Sequence, residues 1–209
     1  IGRLKDIVLA SAFDMKGGGS YVFVENFAER YIADLTARPK LTRKIKAVVA
    51  CGNGTAGAFA PTVLERLGVE VIPMDTALDY TFPRYNPNPE DMEMLHAIAH
   101  RVKEHGADIG LGFDGDGDRC GVIDNTGDEI FADKVGVMLA RDLSALIPAA
   151  TFVVDVKSTG LFASDPVLKA NGVTTDYWKT GHSHIKRRVK DIAAVAGFEQ
   201  FEVLILQRH

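Results

Sequence analysis

The sequence has little of what marks the specialised classes of protein. Two cysteines in 209 residues cannot form a disulfide framework. No apolar run reaches the roughly 18 residues of a membrane-spanning helix. Acidic residues outnumber basic ones by only four, which argues against a nucleic-acid or membrane-surface binder. We therefore expect an ordinary globular protein of a reducing, cytoplasmic compartment, with no nucleic-acid or membrane partner.

The length allows one large domain or two small ones. From residue 45 onward, short apolar strands alternate with amphipathic helices, a pattern typical of α/β folds with mainly parallel strands. A hairpin turn at Asn125–Asp128 separates two such series, so the boundary is expected near residues 127–133. The sequence thus predicts an α/β fold of two consecutive three-layer α/β/α units. Both sheets are expected to be mixed and mainly parallel, and the second unit to be truncated.

An acidic turn follows the apolar strand predicted over residues 108–113. It places three carboxylates at alternating positions, Asp114, Asp116 and Asp118, followed directly by Arg119. Three crowded carboxylates repel one another unless a cation neutralises them, and hard oxygen ligands select Mg²⁺ or Ca²⁺. An arginine beside such a cation indicates an anionic partner such as phosphate. A plain solvated turn, with the arginine as counter-ion, is the alternative.

Two other metal-loop readings are less favoured. A calcium EF-hand needs glycine at position six and glutamate at position twelve, where this sequence has Arg119 and Asn125. A phosphatase with an aspartyl nucleophile also places Asp-x-Asp after a strand. It would need a later strand ending in paired acids, and no such pair follows residue 129.

A glycine-rich turn, Gly52–Gly57, matches the G-x-G-x-x-G pattern between a strand and a helix. Asp75 closes the next strand, near the place of a ribose-binding acid, so a dinucleotide site is one interpretation. The other is a tight turn needed for close packing. We favour the packing role, because a long proline-rich loop follows the next strand and the strongest acidic cluster lies elsewhere.

Two further segments follow predicted strands. Lys157 comes just after an apolar strand, where ligands of open α/β sheets collect, and a lysine there can hold phosphate or sugar oxygens. His182 lies where the next strand gives way to a helix, whose N-terminal N–H groups suit an anion. Each residue has an ordinary alternative as a solvated side chain. The basic run from Lys186 to Lys190 is expected to be a solvated helix face.

These elements, in this order, resemble the α-D-phosphohexomutases, the phosphomannomutase/phosphoglucomutase superfamily. The matching stretches are CGNGTAG, GFDGDGDRCGVID, DVKSTG and WKTGHSHIK. The resemblance implies four α/β domains around one cleft. Residues 1–28 would lead in from a preceding domain, residues 29–128 would form domain II, and residues 129–209 an incomplete domain III. The implied reaction is Mg²⁺-dependent phosphoryl transfer between O1 and O6 of a hexose phosphate.

The resemblance also implies a role for each matching residue. Asp114, Asp116 and Asp118 would bind Mg²⁺, and Arg119, Lys157 and His182 would be catalytic. Lys157, Gly181, His182 and Glu199 would contact the substrate. The expected partners are the 1- and 6-phosphates of mannose and glucose, and the motifs do not distinguish mannose, glucose and glucosamine phosphates from one another. CGNGTAG is a fold-forming turn in this family, which lowers the case for a dinucleotide.

Two departures from the family pattern stand out. The phosphoserine loop, a Ser-His-Asn-Pro type signature, is absent from the sequence, and the residues from 200 onward are atypical. The chain also begins at Ile1 rather than methionine. We therefore expect a piece of a phosphohexomutase that does not turn over alone. A non-catalytic phosphosugar- or metal-binding module is the alternative.

Overall fold

The computed structural model describes residues 2–37, 41–199 and 203–205. The strands of its first sheet are β1 Lys46–Ala50, β2 Glu70–Met74, β3 Ile109–Phe113, β4 Cys120–Asp124 and β5 Glu129–Ile130. They have the order β2-β1-β3-β4-β5, in which β1 is parallel to both β2 and β3, and β4 is antiparallel to both β3 and β5.

Helices α3 and α4 cover the two faces of this sheet. The helices of this part of the chain are α1 Gly2–Leu9, α2 Phe27–Thr36, a 3-10 turn Thr55–Ala58, α3 Ala60–Arg66 and α4 Met92–His105. On one face, Val48 and Ala50 of β1 pack with the α4 residues Met94, Ile98 and Val102. On the other face, Ala47 and Val49 pack with Leu64 of α3. The alternation of side chains along β1 therefore produces three layers.

The strands of the second sheet are β6 Thr151–Asp155, β7 Thr174–Trp178, β8 Ala196–Phe198 and β9 Val203–Ile205. They have the order β7-β6-β8-β9, in which β6 is parallel to both β7 and β8, and β9 is antiparallel to β8. The helices are α5 Ala132–Leu146, α6 Leu161–Ser164, α7 Pro166–Ala170 and α8 His182–Asp191. Phe152 packs with Phe162 and Phe198, while Val153 packs with Ile185 on the opposite face. The prediction of two α/β units with mixed sheets is confirmed.

Three local features differ from the sequence expectation. The apolar spacing of the sequence predicts one helix over residues 161–170, but Asp165 caps a new helix at Pro166 and the segment divides into α6 and α7. The spacing also predicts a helix over residues 183–195, and the observed helix ends at Asp191. The buried strand β8 follows it, and no sequence pattern indicated this strand because three apolar residues carry no periodicity.

The atypical C-terminal sequence contributes β9 to the second sheet. Residues 200–202 and 206–209, the rest of that segment, lie outside the described residues. Among the described helices, none is long and apolar enough to span a membrane.

Candidate active site

The acidic turn is the hairpin loop between β3 and β4. Phe113 and Cys120 pair across the two strands, so residues 114–119 close the hairpin. The backbone N–H of Gly117 bonds to the carbonyl of Asp114 at 3.2 Å, and Gly117 has a φ of 77°. Since L side chains rarely adopt this conformation, glycine suits the position. The loop therefore lies at the carboxyl end of a strand adjacent to the central strand β1.

This loop gathers three carboxylates at one point. One carboxylate oxygen from each of Asp114, Asp116 and Asp118 lies within 4.8 Å of the other two. Octahedral Mg²⁺ holds its oxygen ligands at about 2.1 Å, which places them roughly 3–4 Å apart. Small side-chain rotations bridge that difference, so both the donor set and its spacing fit a hard divalent cation.

Arg119 is fixed against the buried member of this cluster. Asp114 is only 2% exposed. It accepts hydrogen bonds from the backbone N–H of Arg119 at 3.1 Å and from its Nε at 2.8 Å. The Nη1 of Arg119 donates to Asn88 Oδ1 at 3.3 Å, which fixes the plane of the guanidinium. Two groups, Asp114 and Asn88, therefore hold the guanidinium of Arg119 in one orientation, which an exposed counter-ion would not need.

The electrostatics of Asp114 reflect this pairing. Burial alone would raise the pKa of Asp114, but the hydrogen bonds from Arg119 hold that pKa below its ordinary value. Asp118 also lies near the guanidinium, with its Oδ1 3.8 Å from the Arg119 Nε. Three carboxylates against one guanidinium leave an excess of negative charge that a divalent cation would offset.

The glycine-rich turn after β1 supports the acidic loop. The N–H of Thr55 donates to the carbonyl of Gly115 at 3.0 Å. A side chain at Gly54 would lie 2.7 Å from that same carbonyl oxygen, so only glycine allows the two turns to meet. The packing interpretation of this turn thus agrees with the structure, since the acidic loop takes the space beside Gly54.

The candidate ribose-binding acid has other partners. Asp75 accepts hydrogen bonds from the hydroxyl of Tyr85 at 2.6 Å and from Nη1 of Arg84 at 3.0 Å. Its carboxylate therefore secures the proline-rich loop to the end of β2. The glycine-rich turn packs against the acidic loop and Asp75 is already paired, so neither feature supports the dinucleotide interpretation.

The other four sequence-predicted residues lie at the carboxyl edge of the second sheet. Lys157 follows β6, Gly181 and His182 follow β7, and Glu199 follows β8. Because these strands are parallel neighbours, the loops emerge side by side. The structure brings Gly181 and Glu199 into direct contact, since the Gly181 N–H donates to Glu199 Oε1 at 2.7 Å. His182 is the first residue of α8, and Lys157 is exposed.

Two residues that were not predicted as site residues contact these groups. Asn88 orients Arg119 across 31 positions of sequence. Asp155 is buried and accepts hydrogen bonds from the Lys157 N–H at 2.9 Å and from the Thr180 hydroxyl at 2.6 Å. The only signal in the sequence was the polarity of Asp155 at the end of an apolar strand. Asn88, between two prolines, gave none.

Fold and site together define a class of protein. It is an α/β protein with a candidate divalent-cation loop at the carboxyl end of a strand of the first sheet, and polar residues at the carboxyl ends of the strands of the second sheet. The family description phosphoglucomutase/phosphomannomutase, alpha/beta/alpha domain II, matches residues 23–127. The description of alpha/beta/alpha domain III matches residues 131–209. The chain belongs to the phosphoglucomutase/phosphomannomutase family.

Individual relatives agree with this assignment. A phosphomannomutase/phosphoglucomutase of Pseudomonas putida is 41% identical over 181 residues, which cover 86% of this chain and 39% of the relative. A solved structure of a phosphoglucomutase/phosphomannomutase family protein from Burkholderia thailandensis is 33% identical, with a TM-score of 0.88. The match covers 97% of this chain and 43% of that one. The chain thus spans about two fifths of the length of these relatives.

A more distant solved structure shares the fold. It is an N-acetylphosphoglucosamine mutase of Aspergillus fumigatus in complex with GlcNAc-6P and magnesium. It is 16% identical with a TM-score of 0.61, and the match covers 89% of this chain and 41% of that one.

Proposed function

We propose that this chain is the metal- and phosphosugar-binding part of a phosphohexomutase. The reaction moves a phosphoryl group between O1 and O6 of a hexose phosphate, through a phosphoserine and a bisphosphorylated sugar. The observation that carries the proposal is the cluster of Asp114, Asp116 and Asp118 with Arg119 fixed against it. The mutase names of the relatives and the magnesium and GlcNAc-6P of the distant neighbour support it.

The acidic loop would hold Mg²⁺ through its three aspartates. When bound, the ion supplies positive charge that stabilises a transferring phosphoryl group. The guanidinium of Arg119, held by Asp114 and Asn88, would bind phosphoryl oxygens beside the ion. Its fixed orientation means that little reorganisation is needed when charge develops on those oxygens.

The second sheet would bind the rest of the substrate. The ammonium of Lys157 would attract phosphate or sugar oxygens as a point charge. His182, at the N-terminus of α8, would donate a hydrogen bond to a phosphate oxygen. Glu199, which accepts a hydrogen bond from Gly181, would present its carboxylate to sugar hydroxyls. We propose mannose and glucose phosphates as substrates, and a cytoplasmic location in keeping with two unpaired cysteines.

The proposal also assigns a role to each of three segments of the chain. Residues 1–28 would lead in from another domain, residues 29–128 would form the metal-binding unit, and residues 129–209 the sugar-binding unit. The ranges matched by the two family descriptions, 23–127 and 131–209, support the boundary near residue 128, while the domain II match begins at residue 23 rather than 29.

The proposal is tested by binding of a bisphosphorylated hexose. In calorimetric titration with glucose 1,6-bisphosphate and Mg²⁺, we expect saturable binding that Lys157→Ala weakens about tenfold, the size of a lost charge-assisted hydrogen bond. Lys169→Ala, an exposed lysine of α7, is the matched control and should bind like the parent. Equal affinity in all three proteins would contradict the role of Lys157. Absence of binding to the parent would contradict the proposed function.

One observation favours a second candidate, a phosphosugar-binding module without catalysis. The 209 residues contain no Ser-His-Asn-Pro signature to supply a phosphoserine. We propose instead that the phosphoserine belongs to a part of the protein outside these residues, and that these residues do not turn over alone. The intact mass of the cellular protein and its coding sequence discriminate. A serine loop in the same polypeptide supports the mutase, and a polypeptide without one supports the binding module.

A further inference from the structure

A buried carboxylate lies beneath the sugar-binding edge of the second sheet. Asp155 is the last paired residue of β6, where it lies opposite Trp178 of β7, and it is only 1% exposed. The loops that carry Lys157 and His182 begin directly after these two residues. Asp155 is therefore at the base of both loops.

The contacts of Asp155 connect the two loops. Its Oδ1 accepts a hydrogen bond from the N–H of Lys157 at 2.9 Å and another from the hydroxyl of Thr180 at 2.6 Å. Thr180 immediately precedes Gly181, whose N–H bonds to Glu199 at 2.7 Å. A continuous chain of contacts thus joins the loops after β6, β7 and β8.

Folding stability alone does not account for a carboxylate in this place. The preceding residues of β6 are Phe152, Val153 and Val154, all fully buried. Burying a carboxylate costs several kcal/mol before its hydrogen bonds compensate, and an apolar residue in such a place is often at least as stable. What the carboxylate provides, and an apolar side chain would not, is an acceptor shared between two loops.

We infer that Asp155 and Thr180 form a clamp that holds the Lys157 loop and the Gly181–His182 loop in one fixed arrangement. The inference rests on the proposed function, which assigns these loops to phosphosugar binding. Asp155 is buried below the loops, so its negative charge does not face a phosphate. It is a positioning residue and acts through the residues that would touch the ligand. When the loops are already ordered before binding, less of the interaction free energy is lost to ordering them, and the affinity is higher.

Hydrogen exchange tests the clamp without any ligand. Thr180→Val removes the hydroxyl while keeping the side-chain shape. We expect amide exchange to become about fivefold faster in both loops, residues 156–160 and 179–182, because local opening of one loop then frees the other. Thr180→Ser restores the hydroxyl and should restore slow exchange. Thr175→Val removes a hydroxyl of β7 that donates to the carbonyl of Phe162 in α6. It is the matched control and should leave both loops protected.

The outcomes separate the clamp from the proposed function. Faster exchange in residues 179–182 alone, or the same effect from Thr175→Val, would overturn the clamp. In a parallel titration with glucose 1,6-bisphosphate, the clamp predicts weaker binding to Thr180→Val and recovery in Thr180→Ser. If exchange is coupled between the loops but the parent binds no phosphosugar, the clamp stands and the proposed function fails. Trp178 is the only tryptophan of the sequence and lies opposite Asp155, so its fluorescence reports on the start of the same two loops.

Discussion

Two buried serines of the second unit show how strongly single hydrogen bonds decide what a residue contributes. The hydroxyl of Ser144 donates to the carbonyl of Arg141 and accepts from the Asn171 amide, both at 2.9 Å. The hydroxyl of Ser158, next to Lys157, is buried and has no hydrogen-bond partner in the part of the chain that the structure describes. The buried hydroxyl of Ser144 therefore stabilises the fold, whereas no hydrogen bond compensates the cost of burying the hydroxyl of Ser158.

Alanine at these two positions should therefore act in opposite directions. Ser158→Ala removes an unsatisfied buried group and should raise the free energy of unfolding by about 1 kcal/mol. Ser144→Ala leaves its partners unpaired and should lower the free energy of unfolding by about 1–3 kcal/mol. Urea unfolding at pH 7 measures both values. Equal destabilisation by the two substitutions would show that Ser158 has a partner of its own.

At the residue scale, the sequence pattern was most informative where neighbours in sequence act together. Asp114, Asp116 and Asp118 were predicted as one cluster because alternating acids in a glycine-rich turn can only crowd together. The partners of Arg119 were not predictable in full. Asn88 is 31 positions away, and only the packed structure brings it to the guanidinium.

At the scale of elements, the division of one predicted helix into α6 and α7 has a clear physical cause. Asp165 accepts hydrogen bonds from the N–H groups of Val167 at 2.9 Å and Leu168 at 3.1 Å, and so caps a helix that begins at Pro166. Proline suits the first turn of a helix and breaks its interior. Arg141 of α5 also donates from Nε to Asp165 at 3.0 Å, so the cap ties α7 to α5.

This cap makes stability depend on pH in a defined direction. The hydrogen bond from Arg141 holds the pKa of Asp165 below its ordinary value, against the opposing effect of burial. A lowered pKa in the folded state gives stability that is fully present above the unfolded pKa of about 3.9. That stability is lost as the pH falls through the folded pKa.

Asp165→Asn keeps the capping oxygen and removes the charge. We expect it to lower the free energy of unfolding by about 1–2 kcal/mol at pH 7, because a hydrogen bond to a partly exposed arginine is weakened. The difference from the parent should shrink as the pH falls below about 4, where the parent also loses the charge. Urea unfolding at several pH values measures this. A difference that stays constant with pH would contradict the account.

Strands and helices were predictable where their apolar pattern is long enough to show a period. The sequence pattern predicts strands over residues 46–50 and 120–124 and a helix over residues 90–105. The strands β1 and β4 have these bounds, and α4 begins two residues later, at Met92. By contrast, β8 is three residues long and begins shortly after α8. Its position is determined by pairing with β6 and β9, which no local pattern reveals.

At the scale of the whole molecule, the chain is two α/β units whose candidate site residues lie on matching strand ends. A cavity of about 190 Å³ lies between the units, lined by Cys120 and Gly121 of the first and by Asp133 and Thr159 of the second. The N–H of Thr159 donates to Asp133 at 2.9 Å, which ties the loop after β6 to the start of α5. The alternating pattern predicted two units, but only the structure shows which residues line the space between them.

The central claim is that the hairpin loop of the first unit binds Mg²⁺ through its three aspartates. Calorimetric titration of the chain with Mg²⁺ tests it most directly, comparing the parent with Asp116→Asn. Asp142→Asn, an exposed acid of α5, is the matched control. We predict saturable binding to the parent and the control, and at least about tenfold weaker binding to Asp116→Asn, since one of three carboxylate ligands is lost. Equal affinity of all three proteins for Mg²⁺ would contradict the claim.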